Sequence, residues 1–352
     1  MVLSPRAPSL TAEEPVSDEA MMQRAIRNAA ASRTTVSPRP WVGAVLVTAD
    51  GEVFDGATEP SPGRHAEVVA LDAAGPEASR GATVYATLEP CSHVNVTGAC
   101  ADALVDAGVA RVVVGIEDPD ERVRGTDIVR LRDAGIDVTV GVAADDVSRQ
   151  LAPYLTHRRT GRPHVVLKLA ATLDGRTAAP DGSSQWITGE AARIDAHRLR
   201  AESDAILVGA GTVRTDDPSL TVRHVAGRDP IRVVLGTAPA HAKVHPALER
   251  RGDLGAILDE LGERGVMQLL VEGGASVAHD FHAAGLVDRY VVYLAPALMG
   301  GDDGRSLFAG AGAPTIADVW RGRIVDVTRL GDDIRVDLET KPAESTRDKE
   351  DV

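Results

Sequence analysis

Short apolar runs alternate with helix-like segments along most of this chain. In the first half, "VGAVLVTADGEVFDGAT" predicts a β-hairpin that turns at Asp50-Gly51, and "GATVYATLEP", "ARVVVGI" and "IDVTVGV" predict strands. Between them, apolar residues recur with helical spacing over residues 18–31, with Asp18 as N-cap, and in "HAEVVALDAAG", "ACADALVDAG" and "GTDIVRLRDAG". Strand and helix alternate in this way to about Val147.

A second series of the same kind follows "RRTGRPH", where Gly and Pro interrupt the pattern. It predicts strands in "HVVLKLAATLDG", "DAILVGAGTV", "PIRVVLGT", "VMQLLVEGG" and "DRYVVYLAP", and helices in "GEAARIDAHRLRAES" and "ASVAHDFHAAG". Because the strands are rich in Val, we expect buried parallel strands covered by helices. The predicted class is α/β, with a tail over residues 1–16, domains over 17–147 and 164–340, a linker over 148–163 and a second tail over 341–352.

Composition narrows the classes of partner. The 352 residues carry a formal net charge of −14, and a large acidic excess repels nucleic acid and anionic lipid surfaces. We therefore expect a small-molecule substrate, and any anionic group on it must be held by a few local Arg or Lys residues. The first residues lack the apolar core of a signal peptide, and no apolar run reaches the length of a membrane span, so a cytoplasmic location is expected. In such a location the two cysteines are thiols or metal ligands rather than a disulfide.

The chemistry that the sequence indicates best is a zinc site of the deaminase type. "RHAEV" supplies His65 and Glu67, and "TLEPCSHVNVTGAC" supplies both cysteines of the chain, Cys91 and Cys100. One His and two Cys hold a zinc ion and leave a fourth position open, and a glutamate that is not a ligand then moves protons. Eight residues separate the two cysteines, where the usual pattern has about two. A lone His-x-Glu is a weak signal, but its occurrence with Pro90-Cys91 and Cys100 at predicted element ends favours zinc over two idle thiols.

The second half carries a weaker nucleotide signal. "VGAGTV" offers Gly209 and Gly211 but lacks the third glycine of a dinucleotide fingerprint. In "VEGGAS", Gly273 and Gly274 separate a predicted strand from a predicted helix, whose N-terminus attracts phosphate. Taken alone, such a turn is more often a tight strand–helix connection than a cofactor site.

Several longer phrases resemble the bifunctional riboflavin-biosynthesis deaminase–reductase family. They span residues 18–338 and are "SPRPWVGAVLV", "RHAEVVAL", "TLEPCSH", "LKLAATLDGRTA", "GSSQWITGEAAR", "DAILVGAGTVRTDDPSLTVR" and "VEGGAS". The resemblance implies a cytidine-deaminase-like αβα domain followed by a dihydrofolate-reductase-like α/β domain. It also implies zinc-dependent deamination of a diaminopyrimidine ribosyl phosphate and NADPH-dependent reduction of the ribosyl group to ribityl. A homodimer or higher homo-oligomer is expected.

The resemblance also implies residue roles. In the first domain, His65, Cys91 and Cys100 would be zinc ligands, Glu67 the proton shuttle and His93 a pyrimidine contact. In the second, Lys168 and Asp216 would lie at the reacting ribose. The implied substrate residues there are Ser184, Arg200, Leu220, Arg223 and Glu272, and the implied NADPH residues are Ala170, Trp186, Thr212, Asp216, Thr237 and Gly274.

Simpler interpretations of these positions stay open. Arg200 and Arg223 are either solvated charges or a phosphate clamp, and a phosphorylated substrate in an acidic protein favours the clamp. Trp186 could be plain core, and Asp216-Asp217-Pro218 a turn alone.

The sequence departs from the family in the deaminase pocket. Arg39 stands where Asn is usual, and the loop between the cysteines holds Val96 where a Lys or Arg is usual; the remaining departures are Asn95, Gly98, Ala99, Asp120 and Gly236. We therefore predict that Arg39, rather than that loop, carries the contact to a substrate anion. The alternatives are a specialised paralogue with an altered or inactive deaminase site, a nucleic-acid base deaminase, which the acidic charge disfavours, and a non-catalytic nucleotide sensor, which would not need Glu67.

Overall fold

The computed structural model describes residues 17–91, 100–120 and 124–340. The two predicted tails and the loop residues His93, Asn95, Val96, Gly98 and Ala99 lie outside these ranges. The chain divides into two compact units, Met1–Leu151 and Ala152–Val352. Among the described residues, helices that combine the length and the apolar character needed to cross a membrane are absent.

The first unit follows the predicted alternation of strands and helices. Its elements are α1 (Asp18–Val36), β1 (Gly43–Val47), β2 (Val53–Ala57), α2 (Ala66–Ala74), α3 (Pro76–Ser79), β3 (Thr83–Leu88), α4 (Cys100–Ala107), β4 (Arg111–Ile116), α5 (Thr126–Asp133), β5 (Asp137–Val140) and α6 (Ala144–Gln150). The predicted cap of α1 was wrong by one residue, because Ser17 accepts the capping hydrogen bond from the N–H of Ala20. Asp18 instead pairs with Arg111 of β4 at 2.8 Å.

One five-stranded sheet organises this unit, in the order β2-β1-β3-β4-β5. The predicted hairpin of β1 and β2 is confirmed, and β1 also runs antiparallel to β3, while β3, β4 and β5 are parallel. Two glycines let helices lie directly on the strands: a Cβ on Gly43 would meet the Ala25 carbonyl oxygen at 1.8 Å, and one on Gly56 the Ala66 carbonyl oxygen at 2.1 Å. Gly43 pairs with Ala57, so Gly43 and Gly56 face opposite sides of the sheet and place α1 and α2 on opposite faces. The result is the expected three-layer αβα arrangement.

The second unit is also α/β but contains more strands than the pattern predicted. Its elements are α7 (Ala152–Thr160), β6 (His164–Thr172), β7 (Arg176–Ala178), α8 (Glu190–Ala201), β8 (Ala205–Gly209), α9 (Ala210–Asp216), β9 (Ile231–Leu235), β10 (Leu248–Arg250), α10 (Leu254–Glu263), β11 (Gln268–Val271), α11 (Ala275–Ala283), β12 (Arg289–Ala295), β13 (Arg305–Ser306), β14 (Gly322–Leu330) and β15 (Asp333–Thr340). Two expectations need correction here. The segment 148–163, expected to be a linker, contains α7, and "GAGTV", expected to extend a strand, begins α9 instead.

An eight-stranded sheet in the order β10-β9-β8-β11-β6-β12-β15-β14 forms the centre of this unit. The strands from β10 to β12 are parallel, as the Val-rich pattern predicted, and β15 and β14 continue the sheet antiparallel. Alternate residues of β6 belong to two hydrophobic cores, since Leu167 packs on one face of the sheet and Val166 on the other. Because the parallel strands share one direction, the residues that follow β8, β9 and β11 meet at one edge of the sheet.

Candidate functional site

The first unit brings three metal-binding side chains together. His65 is the residue before α2, Cys91 follows β3, and Cys100 is the first residue of α4. The Nδ1 atom of His65 lies 3.1 Å from the Cys100 Sγ and 3.3 Å from the Cys91 Sγ, and the two Sγ atoms are 3.6 Å apart. Chain segments distant in sequence thus converge because each ends at the same edge of the sheet.

This donor set fits a zinc ion. Tetrahedral ligation with Zn–S near 2.3 Å and Zn–N near 2.1 Å places two sulfur ligands about 3.8 Å apart and a sulfur and a nitrogen about 3.6 Å apart. The observed separations are a few tenths of an ångström shorter, a gap that small side-chain rotations close. Among the described residues, this is the one group of three or more His, Cys, Asp or Glu side chains whose donor atoms lie within 4.8 Å of one another.

The acid–base character of the group suits ligation. Hydrogen bonds from Cys100 and His65, working against burial, lower the pKa of Cys91 to about 4, so Cys91 is a thiolate, which is the form that binds metals. Glu67 lies two residues beyond the ligand His65, is 3% exposed, and lies against Cys100. Burial and the charge of Cys91 raise the pKa of Glu67 to about 7. The structure therefore holds a buried carboxyl against the ligand cluster.

Arg39 lies at the same site but is tied to the backbone. Its Nη1 donates to the carbonyl oxygens of Glu59 at 3.2 Å and Gly63 at 2.9 Å, in the segment that leads into His65. Cys91 raises the pKa of His65, and the positive charge of Arg39 acts in the opposite direction, as expected for a neighbouring cation. The structure thus places Arg39 beside the candidate metal centre. A contact between Arg39 and a substrate anion stays a prediction.

Glu89 is a residue of this site that sequence reasoning missed. It is 3% exposed, and its carboxylate accepts hydrogen bonds from the backbone N–H groups of Asp118 at 3.1 Å, Gly125 at 3.0 Å and Ile128 at 3.4 Å. These bonds tie the residue before Pro90-Cys91 to the segment that follows β4. The sequence signal that could have identified Glu89 is a charged residue directly after an otherwise apolar strand, two residues before a metal ligand.

The second unit holds a cavity of about 920 Å³ at the carboxyl ends of its parallel strands. Eight of the residues predicted for the reductase site lie on its wall: Lys168, Ala170, Ser184, Thr212, Asp216, Thr237, Glu272 and Gly274. Its volume lies in the range of small-molecule and cofactor sites. The Gly273-Gly274 turn opens into it just before α11, and a Cβ on Gly273 would come within 2.5 Å of Val277, so this position requires glycine.

Four predicted residues do not line this cavity: Trp186, Arg200, Leu220 and Arg223. The interpretation of Trp186 as core was wrong, since it is 71% exposed and stacks against the Arg193 guanidinium at 4.7 Å. Leu220 is buried in the core, and Arg223 donates to the Ser219 hydroxyl at 2.7 Å. Sequence reasoning in turn missed three exposed arginines on the wall: Arg214, Arg251 and Arg305.

Two of the charged residues on the cavity wall, Lys168 and Glu272, lie near Arg200. Arg200 donates to both carboxylate oxygens of Glu272, at 2.7 and 2.8 Å. Burial alone would raise the pKa of Glu272, but the charges of Arg200 and Lys168 outweigh it and hold the pKa at about 2. Burial lowers the pKa of Lys168, whose Nζ lies 5.7 Å from the centre of the Tyr293 ring. An ionised carboxylate and a buried amine therefore face the same space.

Comparison with known families matches the two units separately. Residues 15–116 match the cytidine and deoxycytidylate deaminase zinc-binding region, and residues 163–336 match the RibD C-terminal domain. A zinc-type deaminase unit followed by a RibD-type reductase unit is therefore the class that fold and site define.

Relatives similar along nearly the whole chain identify the family. The chain is 38% identical to the riboflavin biosynthesis protein RibD of Escherichia coli, over 91% of this chain and 99% of that protein. It is 42% identical to RibD of Mycobacterium tuberculosis, over 91% of this chain and 96% of the relative. The solved structure of Acinetobacter baumannii RibD, form 1, matches with a TM-score of 0.84 at 36% identity, over 92% of this chain and 99% of that one. A second solved structure, from Thermotoga maritima, matches with a TM-score of 0.82 at 32% identity, over 92% of this chain and 99% of that one. That protein is a diaminohydroxyphosphoribosylaminopyrimidine deaminase/5-amino-6-(5-phosphoribosylamino)uracil reductase. The chain belongs to the RibD family of riboflavin biosynthesis proteins.

Proposed function

We propose that this chain catalyses two consecutive reactions of riboflavin biosynthesis. The first is hydrolytic deamination of 2,5-diamino-6-ribosylamino-4(3H)-pyrimidinone 5′-phosphate, which exchanges a ring amino group for oxygen and releases ammonia. The second is NADPH-dependent reduction of the ribosyl group of the product to ribityl. The observation that carries the proposal is that each unit of one RibD-family chain holds its own candidate site: the His65, Cys91 and Cys100 cluster in one, and the cavity at Glu272 in the other.

In the deaminase unit, His65, Cys91 and Cys100 would hold a single zinc ion. When bound, zinc supplies Lewis acidity that makes water a nucleophile near neutral pH. Glu67 is the proton carrier in this proposal: its carboxylate takes the proton from the attacking water and delivers it to the departing amine. Its place two residues beyond His65 and its contact with Cys100 support that role. His93 is retained as the proposed pyrimidine contact, and it lies outside the described residues.

In the reductase unit, the proposed NADPH residues are Ala170, Trp186, Thr212, Asp216, Thr237 and Gly274. When bound, the cofactor supplies hydride to the ribosyl group. The glycine turn before α11 suits a pyrophosphate, because backbone N–H groups at a helix N-terminus attract anions. Asp216 and Lys168 are proposed at the reacting ribose, and Lys168 is suited to proton transfer because burial lowers its pKa. The proposed substrate residues remain Ser184, Arg200, Leu220, Arg223 and Glu272. In this proposal Arg200 acts by holding the Glu272 carboxylate in place.

The direct test is an assay of the purified protein with the diaminopyrimidine ribosyl phosphate. Ammonia release and the ribityl product are followed with and without NADPH. We expect ammonia in both cases and ribityl product only with NADPH. Ammonia formation without ribityl product in the presence of NADPH would remove the second half of the proposal.

We also propose that the chain forms a homodimer or higher homo-oligomer in the cytoplasm. The edge strand β14 exposes Ile324 and Val327, each to 59%, and Ile316 before it is 78% exposed. An exposed apolar edge strand is a surface that proteins ordinarily cover, and a second copy of the chain is the occupant proposed here. Two free thiols used as metal ligands fit a reducing compartment. Sedimentation of the wild type and of the double variant Ile324→Glu, Val327→Glu tests the assembly: a monomeric wild type would refute it.

A further inference from the structure

The wall of the reductase cavity carries an arginine that no carboxylate neutralises. Arg251 is exposed on the wall, and its Nη2 donates to the Thr237 hydroxyl at 2.5 Å. Among the described residues Arg251 makes no ion pair, whereas Arg250 beside it is bound by Glu260 at 2.6 Å. In a chain with a net charge of −14, a cation held toward a cavity and left without a carboxylate is suited to an anionic ligand.

The strand register places Arg251 at one end of the cavity. Arg250 pairs with Leu235, so the next residues, Arg251 and Gly236, lie side by side where β10 and β9 end. Gly236 has a φ of 109°, and a Cβ there would lie 2.8 Å from the Ala210 Cβ, so the position next to Arg251 offers backbone but no competing side chain. The Gly273-Gly274 turn follows β11, which is separated from β9 by β8 alone. At about 4.8 Å between neighbouring strands, the end of β9 lies roughly 10 Å from the turn, the scale of one nucleoside. The Arg251 guanidinium reaches the end of β9 through its hydrogen bond to Thr237.

A side cavity continues past Arg251. Its volume is about 530 Å³, and it shares Leu235, Gly236 and Arg251 with the main cavity. Leu254, Ala284 and Leu286 give it apolar walls, which suit a flat aromatic base. Asp253 and Asp280 also line the side cavity, and their negative charge disfavours a phosphate there. Arg251 is therefore the place at this end of the cavity where a phosphate is favoured.

We propose that Arg251, oriented by Thr237, binds the 2′-phosphate of NADPH and makes the reductase prefer NADPH over NADH, while the side cavity takes the adenine. This inference rests on the proposed reductase function and assigns a specificity residue within that site. A planar guanidinium binds phosphate with two parallel hydrogen bonds, a geometry that an ammonium group does not reproduce. The cofactor preference should therefore depend on Arg251 itself and only partly on its charge.

The test measures binding without catalysis. Calorimetry on the full-length protein compares adenosine 2′,5′-bisphosphate with adenosine 5′-monophosphate, which lacks only the 2′-phosphate. We expect the wild type to bind the bisphosphate more tightly. Arg251→Ala should lose about 10- to 100-fold in affinity for the bisphosphate, as for one charge-assisted contact, with little change for the monophosphate. Arg251→Lys should recover part of the loss, and Arg159→Ala, an exposed arginine of α7 away from the cavity, should match the wild type.

Equal losses for both nucleotides in Arg251→Ala, or no loss for either, would overturn the assignment. So would an Arg214→Ala protein that loses the preference while Arg251→Ala keeps it. Steady-state reduction with NADPH and with NADH separates this failure from failure of the proposed function. A wild type that reduces substrate equally well with both cofactors overturns only the role of Arg251. A wild type that reduces substrate with neither cofactor removes the reductase function itself.

Discussion

Arg200 and Glu272 form a two-pronged ion pair inside the second unit, with Nε–Oε1 and Nη2–Oε2 distances of 2.7 and 2.8 Å. The side chains are only 14% and 10% exposed. Arg200 lies on α8 and Glu272 follows β11, so the pair joins a helix to the strand end at the cavity. Sequence analysis assigned Arg200 to a phosphate; the structure instead engages it with Glu272. The pair keeps Glu272 ionised beside Lys168.

Arg200→Met should therefore destabilise the second unit strongly. Removal of one partner leaves the Glu272 carboxylate buried and unpaired, at an expected cost of about 3–5 kcal/mol in the free energy of unfolding. Arg223→Met is the matched control, because Arg223 is exposed and its guanidinium donates to the Ser219 hydroxyl. Urea unfolding monitors both variants. If Arg200→Met costs no more than Arg223→Met, the ion pair does not stabilise this unit.

Glu67→Gln should keep zinc and lose deamination. The amide is close in size to the carboxyl but cannot take up and release the proton, and Glu67 is not one of the three ligands. Zinc content by elemental analysis and ammonia release are measured on the same preparation. Glu77→Gln, an exposed carboxylate of α3, serves as control and should deaminate normally. Near-native ammonia release by the Glu67 variant would exclude it as the proton carrier.

Arg39→Asn should weaken deamination of the phosphorylated substrate more than it weakens zinc binding. Arg39 is next to the candidate metal centre and uses Nη1 for the backbone, which leaves the rest of its guanidinium to face a substrate anion. One lost charge-assisted contact corresponds to about 1.5–3 kcal/mol in kcat/KM. Val96→Lys in the Arg39→Asn background should recover part of the activity. Steady-state deamination kinetics test this prediction. An Arg39→Asn variant as active as the wild type would show that the anion contact lies elsewhere.

The stability of the second unit should fall as the pH drops from about 6.5 to about 4. Burial and the neighbouring Arg200 charge lower the pKa of His197 from 6.5 to about 4 in the folded chain, so the unfolded chain binds a proton first as pH falls. Over that window the unfolded state holds more protons, and stability declines by at most about 1.4 kcal/mol per pH unit for this one group. His197→Asn should flatten the decline between pH 7 and 4.5 in urea unfolding. An unchanged pH profile in the variant would assign the decline to other groups.

Local signals in the sequence were enough to predict the metal cluster and much of the fold. The turn at Asp50-Gly51 and the Val-rich strands are set by neighbours in the chain, so periodicity reveals them. His65, Cys91 and Cys100 each stand where an element begins or ends, and that placement brought them to one edge of the sheet as expected.

Features that depend on packing between residues far apart in the chain could not be predicted from the sequence. The hydrogen bonds of Glu89 come from backbone groups of residues 118, 125 and 128, and the partner of Arg200 is 72 residues away. Strand β14 was missed because Ile324 and Val327 are both exposed, and the strand lacks the alternation of buried and exposed residues that marks a half-buried strand. Arg251 was missed because only the register of β9 and β10 places it beside Gly236.

The central claim is that one chain carries two independent sites, one in each unit. The measurement that tests it most directly follows ammonia release and NADPH oxidation in parallel for the wild type, Cys91→Ser and Asp216→Ala, with the deaminated intermediate supplied for the second reaction. Cys91→Ser should abolish ammonia release and leave NADPH oxidation near the wild-type rate, because Cys91 belongs to the metal cluster of the first unit. Asp216→Ala, on the wall of the second cavity, should show the reverse. A variant that loses both activities while circular dichroism shows an intact fold would contradict the two-site account.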